Sequence, residues 1–366
     1  MEFNPNFTIS PELAGLLLEI GRHKEAIDVL PVNPNVITSL RETARLVSTH
    51  YSTQIEGNNL DASEVEKLAQ GNVGGFPGKE RDEREVKNYF KALAYIETQF
   101  SPDTKITEKR IQEIHSLVLK GTKSGTPYRE GQNVIRDGRS GGIVYMPPEA
   151  KDVGPLMKSL CKWMNDQIKD QLIPVPIVAR LAHYQFATIH PYYDGNGRTA
   201  RLLTTLLLHK MGYGLKGIYS LEEYYAKNLQ DYYEALNIGD NHNYYMAREK
   251  AELSPFLNYF LSGMARSFKS VRKEIEKWKD LTQPNQQLSL RDLRPIQRQL
   301  LSLFKKSKEV SLQEMADHLG MSSRSIYRYI SLWIESDFIQ IINPSKKGRT
   351  YGLCDQWENA VKEPLI

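Results

Sequence analysis

The sequence predicts a mainly α protein in two bodies, a large helical one carrying a β-hairpin and a small C-terminal module of three helices with its own hairpin. Three observations lead there. Apolar residues recur at steps of three and four along most of the chain, the period of a buried helix face. Only 121–148 and 338–353 break into short β-prone pieces beside turn residues. A polar run with a proline at 279–291 reads as a linker between bodies.

Composition narrows the class. The 366 residues suffice for two or three domains, and 40% hydrophobic with 25% charged residues argues against a disordered or fibrous chain. With 48 Lys and Arg against 44 Asp and Glu the net charge is +4, so the chain is not basic throughout. Cys161 and Cys354 stand alone, which argues against a disulfide framework or thiolate zinc site and suits a reducing compartment. The opening Met-Glu-Phe-Asn-Pro-Asn does not resemble a secretory signal. The longest aliphatic stretch, Leu202–Leu208, holds two threonines and falls far short of the roughly 20 apolar residues that span a bilayer. The expectation is a cytoplasmic protein with no membrane segment.

Along the chain, Val36, Leu40, Ala44, Val47, Tyr51 and Ile55 mark one face of a helix over 35–56, which Gly57 stops. A short helical piece and a glycine-rich turn, Gly71 to Gly78, follow. Helical spacing returns at 80–100 and 107–120. Asn133-Val134-Ile135 and Ile143-Val144-Tyr145 form the hairpin, which must rest on the helical body because two strands alone are not stable. Further helices are expected at 151–170, 176–189, 199–211, 221–237 and 254–278. Beyond the linker, 292–306 and 311–319 read as helices with Gly320 as a stop, and Ser322 caps a third. Residues 338–342 and 349–353 form the last hairpin.

The chemistry concentrates in Ile189-His190-Pro191-Tyr192-Tyr193-Asp194-Gly195-Asn196-Gly197-Arg198-Thr199-Ala200-Arg201, between two helices. Gly195 and Gly197 let consecutive N–H groups converge where the next helix begins with its positive dipole end, an anion cradle. Arg198 and Arg201 share a face of its first turn, and guanidinium forks suit phosphate. Asp194 can hold the Mg²⁺ that accompanies nucleotide phosphates. His190 titrates nearest physiological pH and is the natural base. Singly, each has an ordinary explanation as cap or turn; together they favour a phosphate site.

The stretch HPYYDGNGRTAR resembles the Fic family signature HxFx(D/E)GNGRxxR, with Tyr192 in the place of the usual Phe. The resemblance extends over roughly residues 35–265 and implies a Fic-type helical core that transfers AMP from ATP to a hydroxyl side chain of a target protein. It implies that His190 is the base, that Asp194 binds Mg²⁺, and that Gly195, Asn196, Gly197, Arg198, Thr199, Ala200 and Arg201 hold the phosphates. Asn228 is expected to line the adenine side. The hairpin, with Ile143, Val144 and Tyr145, corresponds to a flap on which the target docks by strand addition. At that position Tyr192 packs into the core, tolerated if its hydroxyl finds a partner.

Ser52-Thr53-Gln54-Ile55-Glu56-Gly57 resembles the family's inhibitory motif (S/T)xxxE(G/N). Glu56 is expected in the last turn of a helix, where the carbonyl dipole disfavours an anion, so a cation elsewhere must resolve the conflict. The resemblance makes that cation Arg201. A solvated surface glutamate is the plain alternative.

The organisation expected is therefore 1–78, an N-terminal helical region with the inhibitory helix; 79–278, the catalytic core; 279–291, the linker; and 292–366, a winged-helix domain and tail. Within 290–352, 11 Lys and Arg face 6 Asp and Glu, an excess of +5. On the third helix Ser323, Arg324, Tyr327 and Arg328 are candidates for DNA contact, with Lys346, Lys347 and Arg349 at the wing tip; a protein-contact or dimerisation role is the alternative. The leading reading is an ATP- and Mg²⁺-dependent protein adenylyltransferase restrained by Glu56. The runners-up are a DNA-binding regulator that senses a nucleotide and an enzyme that removes AMP.

Overall fold

The computed structural model describes the chain apart from residues 1, 31–33, 72–74, 102, 137–140, 239–241, 247, 281–292, 294, 346–347, 355–356 and 358–366. Most of the linker, the flap tip and the wing-tip Lys346 and Lys347 thus lie outside the described residues. The chain divides into two compact units, Met1–Glu276 and Lys277–Ile366.

The first unit is built around α7 (Val175–Ile189), buried along nearly its whole length. Its apolar residues are spread around the helix, with Arg180 and His183 buried among them, as in a core helix. It packs against α6 (Ala150–Asp170) and α8 (Asn196–Lys210), and α5 (Glu108–Lys120) lies against α4 (Glu80–Gln99), α6 and α8. Thr107 caps the start of α5, and Gly121 ends it in the left-handed conformation.

The N-terminal segment holds one helix more than its spacing indicated. α1 (Pro11–Val29) begins at an N-cap serine, Ser10, and buries Leu13, Ile20 and Ile27 in the same core as α7. α2 (Pro34–Ile55) packs on α4 and on α9 (Glu222–Lys227). It is fixed by Arg41 to the Lys216 carbonyl at 2.8 Å, by Arg45 to Glu97, and by Ser48 to Glu222 at 2.9 Å. α3 (Ala62–Ala69) follows, capped by Asp61 and Glu64 in a reciprocal pair.

The helix expected at 221–237 is two: α9 and α10 (Leu229–Leu236) meet at Asn228, whose backbone leaves the helical region. α11 (Ser254–Asp280) closes the unit. The flap is β1 (Ile135–Arg136) antiparallel to β2 (Ile143–Tyr145). No helix among the described residues is long and apolar enough to cross a membrane.

The second unit has its own core. Its helices are α12 (Pro295–Phe304), α13 (Leu312–Leu319) and α14 (Ser323–Glu335), and Ser322 caps α14. The expected hairpin, β4 (Ile339–Asn343) and β5 (Thr350–Leu353), gains a third strand: β3 (Val310–Ser311) pairs with β5. Two residues are too few to show alternation in a sequence.

Candidate active site

α7 ends at His190, whose φ of 50° is left-handed, a conformation that disfavours any residue with a Cβ. It is held from three sides. Its N–H donates to the Phe186 carbonyl at 3.0 Å, its own carbonyl accepts from Arg129 Nε at 3.0 Å, and Nδ1 lies 3.3 Å from the Ala187 carbonyl. A carbonyl only accepts, so Nδ1 carries the proton and Nε2 keeps its lone pair. Burial pushes the His190 pKa down to about 4; the Ala187 carbonyl works against this and Arg129 with it. The imidazole is neutral at physiological pH.

The loop turns into α8 through Gly195, left-handed at φ 77°. A Cβ there would press on the His115 ring and Leu119, so the close approach as well as the turn requires glycine. His115, buried on α5, donates from Nε2 to the Asp194 carbonyl at 2.8 Å and stacks on the Tyr192 ring at 3.5 Å. Asn196 closes the loop, its amide bonded to the Tyr192 carbonyl at 2.7 Å and to the Tyr192 N–H at 3.0 Å. Tyr192 is buried as expected, but its hydroxyl has no partner among the described residues.

Asn196 and Gly197 already belong to α8, three residues before the expected start. Thr199 spends its hydroxyl on the Gly195 carbonyl at 2.8 Å, and Ala200 is buried, so these two shape the turn with their side chains. The arginines are buried and engaged: Arg198 with Asp194 at 3.1 Å and Glu85 at 3.5 Å, Arg201 with Glu56 at 2.8 Å. Arg201 also donates from Nε to Ser52 Oγ at 2.8 Å and from Nη2 to the Ser52 carbonyl at 2.9 Å.

Glu56 lies one residue past the end of α2, not in its last turn, and the chain leaves through Gly57 at φ 88°. Its carboxylate sits over the first turn of α8, where a Cβ on Gly197 would collide with Oε1. An anionic oxygen therefore rests on the helix N-terminus and the buried guanidinium, the place that the charges prepare for a phosphate.

Asp194 is 62% exposed, and Oδ1 accepts from the Gly195 N–H at 2.6 Å and from Arg198. No group of three or more His, Cys, Asp and Glu among the described residues could hold a metal by itself. A single exposed carboxylate fits Mg²⁺ that takes most of its ligands from phosphate and water.

Asn228 is not brought to the loop directly; its amide donates to the Tyr224 carbonyl at 2.8 Å. The link runs through Tyr232, whose hydroxyl lies 3.5 Å from Arg201 Nη1. In the flap, Ile143 is exposed and Val144 half-buried, whereas Tyr145 is buried with its hydroxyl on the Thr188 carbonyl at 2.7 Å. Tyr145 thus anchors the flap and is not offered to a partner. His242 Nδ1 also holds the Val144 carbonyl at 2.9 Å.

In the second unit Arg324, Tyr327 and Arg328 are exposed on α14, while the Ser323 hydroxyl is taken up by Gln313 at 2.7 Å.

Residues 105–208 match the family model described as Fic/DOC family, and residues 296–348 match one described as HTH domain. The Protein adenylyltransferase Fic of Drosophila virilis is 30% identical over 200 residues, 54% of this chain and 39% of that protein. The Drosophila melanogaster protein of that name is 31% identical over 193 residues, 52% and 37%. The match therefore spans well under half the length of these relatives. A Fic family protein from Desulfovibrio desulfuricans G20 has the same fold, with a TM-score of 0.60 at 24% identity over 96% of this chain and 99% of that one. Fic-1 from C. elegans aligns with a TM-score of 0.56 at 23% identity, over 72% and 73%.

Proposed function

We propose, from the premise that the chain carries a Fic/DOC-family domain over residues 105–208, that it transfers AMP from ATP to a hydroxyl side chain of a protein and is restrained by its own Glu56. The observation that carries this reading is the Glu56 carboxylate, held 2.8 Å from the buried Arg201 on the N-terminus of α8, six residues after a neutral imidazole at the end of α7. The curated relatives named Protein adenylyltransferase Fic support the same chemistry.

In the reaction, His190 Nε2 takes the proton of the acceptor hydroxyl as its oxygen bonds to the α-phosphorus, and the bond to pyrophosphate breaks. Backbone N–H groups at Gly195–Gly197 and Arg198 hold the phosphates, and Arg201 receives the γ-phosphate once Glu56 withdraws. Asp194 would hold Mg²⁺, which supplies charge neutralisation at the phosphates when bound. An extended segment of the target adds to the flap beside Ile143 and Val144.

The test is labelling of lysate proteins from α-labelled ATP. A Glu56→Gly chain is expected to label and the Glu56→Gly/His190→Ala chain is not, with mass spectrometry reporting the added AMP and its acceptor. Equal labelling by the two chains would sink the proposal.

A second reading concerns the C-terminal unit, where the HTH match and exposed Arg324, Tyr327 and Arg328 on one face of α14 favour duplex DNA. Duplex binding by the full chain should weaken steeply with salt and fall on Arg324→Ala; binding that ignores both changes excludes it.

A further inference from the structure

We propose that Arg129 is a positioning residue that fastens the stem of the flap to His190, so that docking of the acceptor and aim of the base form one mechanical unit. The inference rests on the reading of His190 as the base. Arg129 lies in the segment between α5 and β1 and is buried. Each of its side-chain hydrogen bonds goes to a main-chain carbonyl: Nε to His190 at 3.0 Å, Nη1 to Gly131 at 3.0 Å, and Nη2 to Pro148. Its N–H donates to the Pro191 carbonyl at 2.9 Å.

The partners are informative. Gly131 and Pro148 bracket the β1–β2 hairpin, so one planar guanidinium grips both ends of the flap and the carbonyl of the residue at its centre of action. A guanidinium presents its donors in a fixed fork, which fixes three acceptors relative to one another; an ammonium does not. Neighbouring bonds run the same way, from the Gly131 N–H to the Tyr193 hydroxyl at 2.9 Å and from Asn133 to the Tyr192 carbonyl at 3.2 Å.

The grip matters because His190 is left-handed and has a Cβ. Residue 190 relaxes toward an ordinary conformation if its carbonyl is released, and that rotation swings the imbedded ring away from the loop. An apolar side chain could fill the same space but could not hold the carbonyl. Arg129 thereby converts a register between flap and acceptor strand into a register between acceptor hydroxyl and Nε2.

The test compares Arg129→Met and Arg129→Lys in the full Glu56→Gly chain, reading the initial rate of lysate labelling from α-labelled ATP and the affinity for α,β-methylene ATP by titration calorimetry. Arg129→Met is expected to lower the rate about 100-fold, the scale of a displacement near 1 Å, while affinity stays within about threefold. Arg129→Lys, which keeps the charge and one donor group, is expected to recover about tenfold of that loss. The proposal is overturned if the rate stays within about threefold of the parent or if affinity falls as far as the rate. Should Arg129→Met not fold, Arg129→Lys decides alone: a rate about tenfold below the parent at retained affinity supports the role, and an unchanged rate refutes it. Equal labelling by the parent and its His190→Ala derivative would instead refute the base assignment, a separate failure.

Discussion

Replacing Glu56 tests the restraint most directly. Arg201 is buried, and its remaining partners, the Ser52 hydroxyl and carbonyl and the Tyr232 hydroxyl, are neutral. Among the described residues Glu56, whose side chain is 25% exposed, is its one ion-pair partner. A charge-assisted hydrogen bond of this kind contributes about 1.5–3 kcal/mol. A γ-phosphate must displace it, and at about 1.4 kcal/mol per factor of ten Glu56→Gly should raise the labelling rate about 10- to 150-fold. Glu56→Gln keeps a hydrogen bond without the charge, and its gain should be about the square root of that. Stability should move the other way, because the buried guanidinium loses its counter-charge: nucleotide-free Glu56→Gly should melt several degrees lower, about 2–4 °C per kcal/mol for a body of this size. Added ATP should restore part of the loss by mass action. Glu56→Ala controls for the backbone freedom of a second glycine beside Gly57. The assays are α-labelled ATP transfer and scanning calorimetry. Unchanged labelling in a His190-dependent reaction, or a melting temperature at or above the wild type, refutes the reasoning.

Three further outcomes follow from the same geometry. With the His190 pKa near 4, kcat/KM should stay level through neutral pH and fall only as pH drops through about 4; a midpoint near the ordinary 6.5 would show that burial does not hold the ring neutral. Linkage gives the same sign for stability: between about 4 and 6.5 the unfolded chain binds this proton and the folded chain does not, so acid denaturation should show stability falling across that window. Gly197→Ala, whose new Cβ meets the Glu56 carboxylate and lies 3.2 Å from Arg201 Nη1, should destabilise the wild type more than the Glu56→Gly chain, where only the arginine contact remains. A double-mutant cycle by denaturant unfolding should give a coupling of about 1 kcal/mol or more, and additivity would contradict the close approach. Tyr192→Phe removes a buried hydroxyl that has no partner among the described residues and should stabilise by about 1 kcal/mol in calorimetry; a lower melting temperature would reveal an acceptor for that hydroxyl.

What could be read from the sequence divides by the kind of atom involved. The HPYYDGNGRTAR stretch is contiguous, so its histidine, carboxylate, glycines and arginines declare themselves side by side. Glu56 and Arg201 lie 145 residues apart; an anion beside a helix end signals only that a cation is missing, and it was the resemblance to the inhibitory motif that named Arg201. Arg129 and His115 left no such trace. Their partners are the carbonyls of His190 and Asp194, 61 and 79 residues away, and a carbonyl is common to every residue. The break at Asn228 was hidden because helical spacing continues on both sides of it. α1 escaped although Leu13, Leu16, Leu17, Ile20 and Ile27 share one face packed on the core, because the exposed Leu18 extends the leucine run beyond it and blurs the stripe. The two bodies were visible as a change of texture at the linker, whereas the inward turn of Tyr145 depends on which strand edge the hairpin presents to α7.

The anchoring of α2 has a consequence for how the restraint responds to its surroundings. Arg41, Arg45 and Ser48 tie the helix into the same body as its target arginine, so Glu56 meets Arg201 as a tethered group at an effective concentration that the fold sets. Dilution therefore does not loosen the pair, and a competing nucleotide must be judged against that fixed local concentration. Control then has two handles: the amount of nucleotide present, and any small displacement of the turn at Glu56 and Gly57 that lowers the local concentration without unseating the helix.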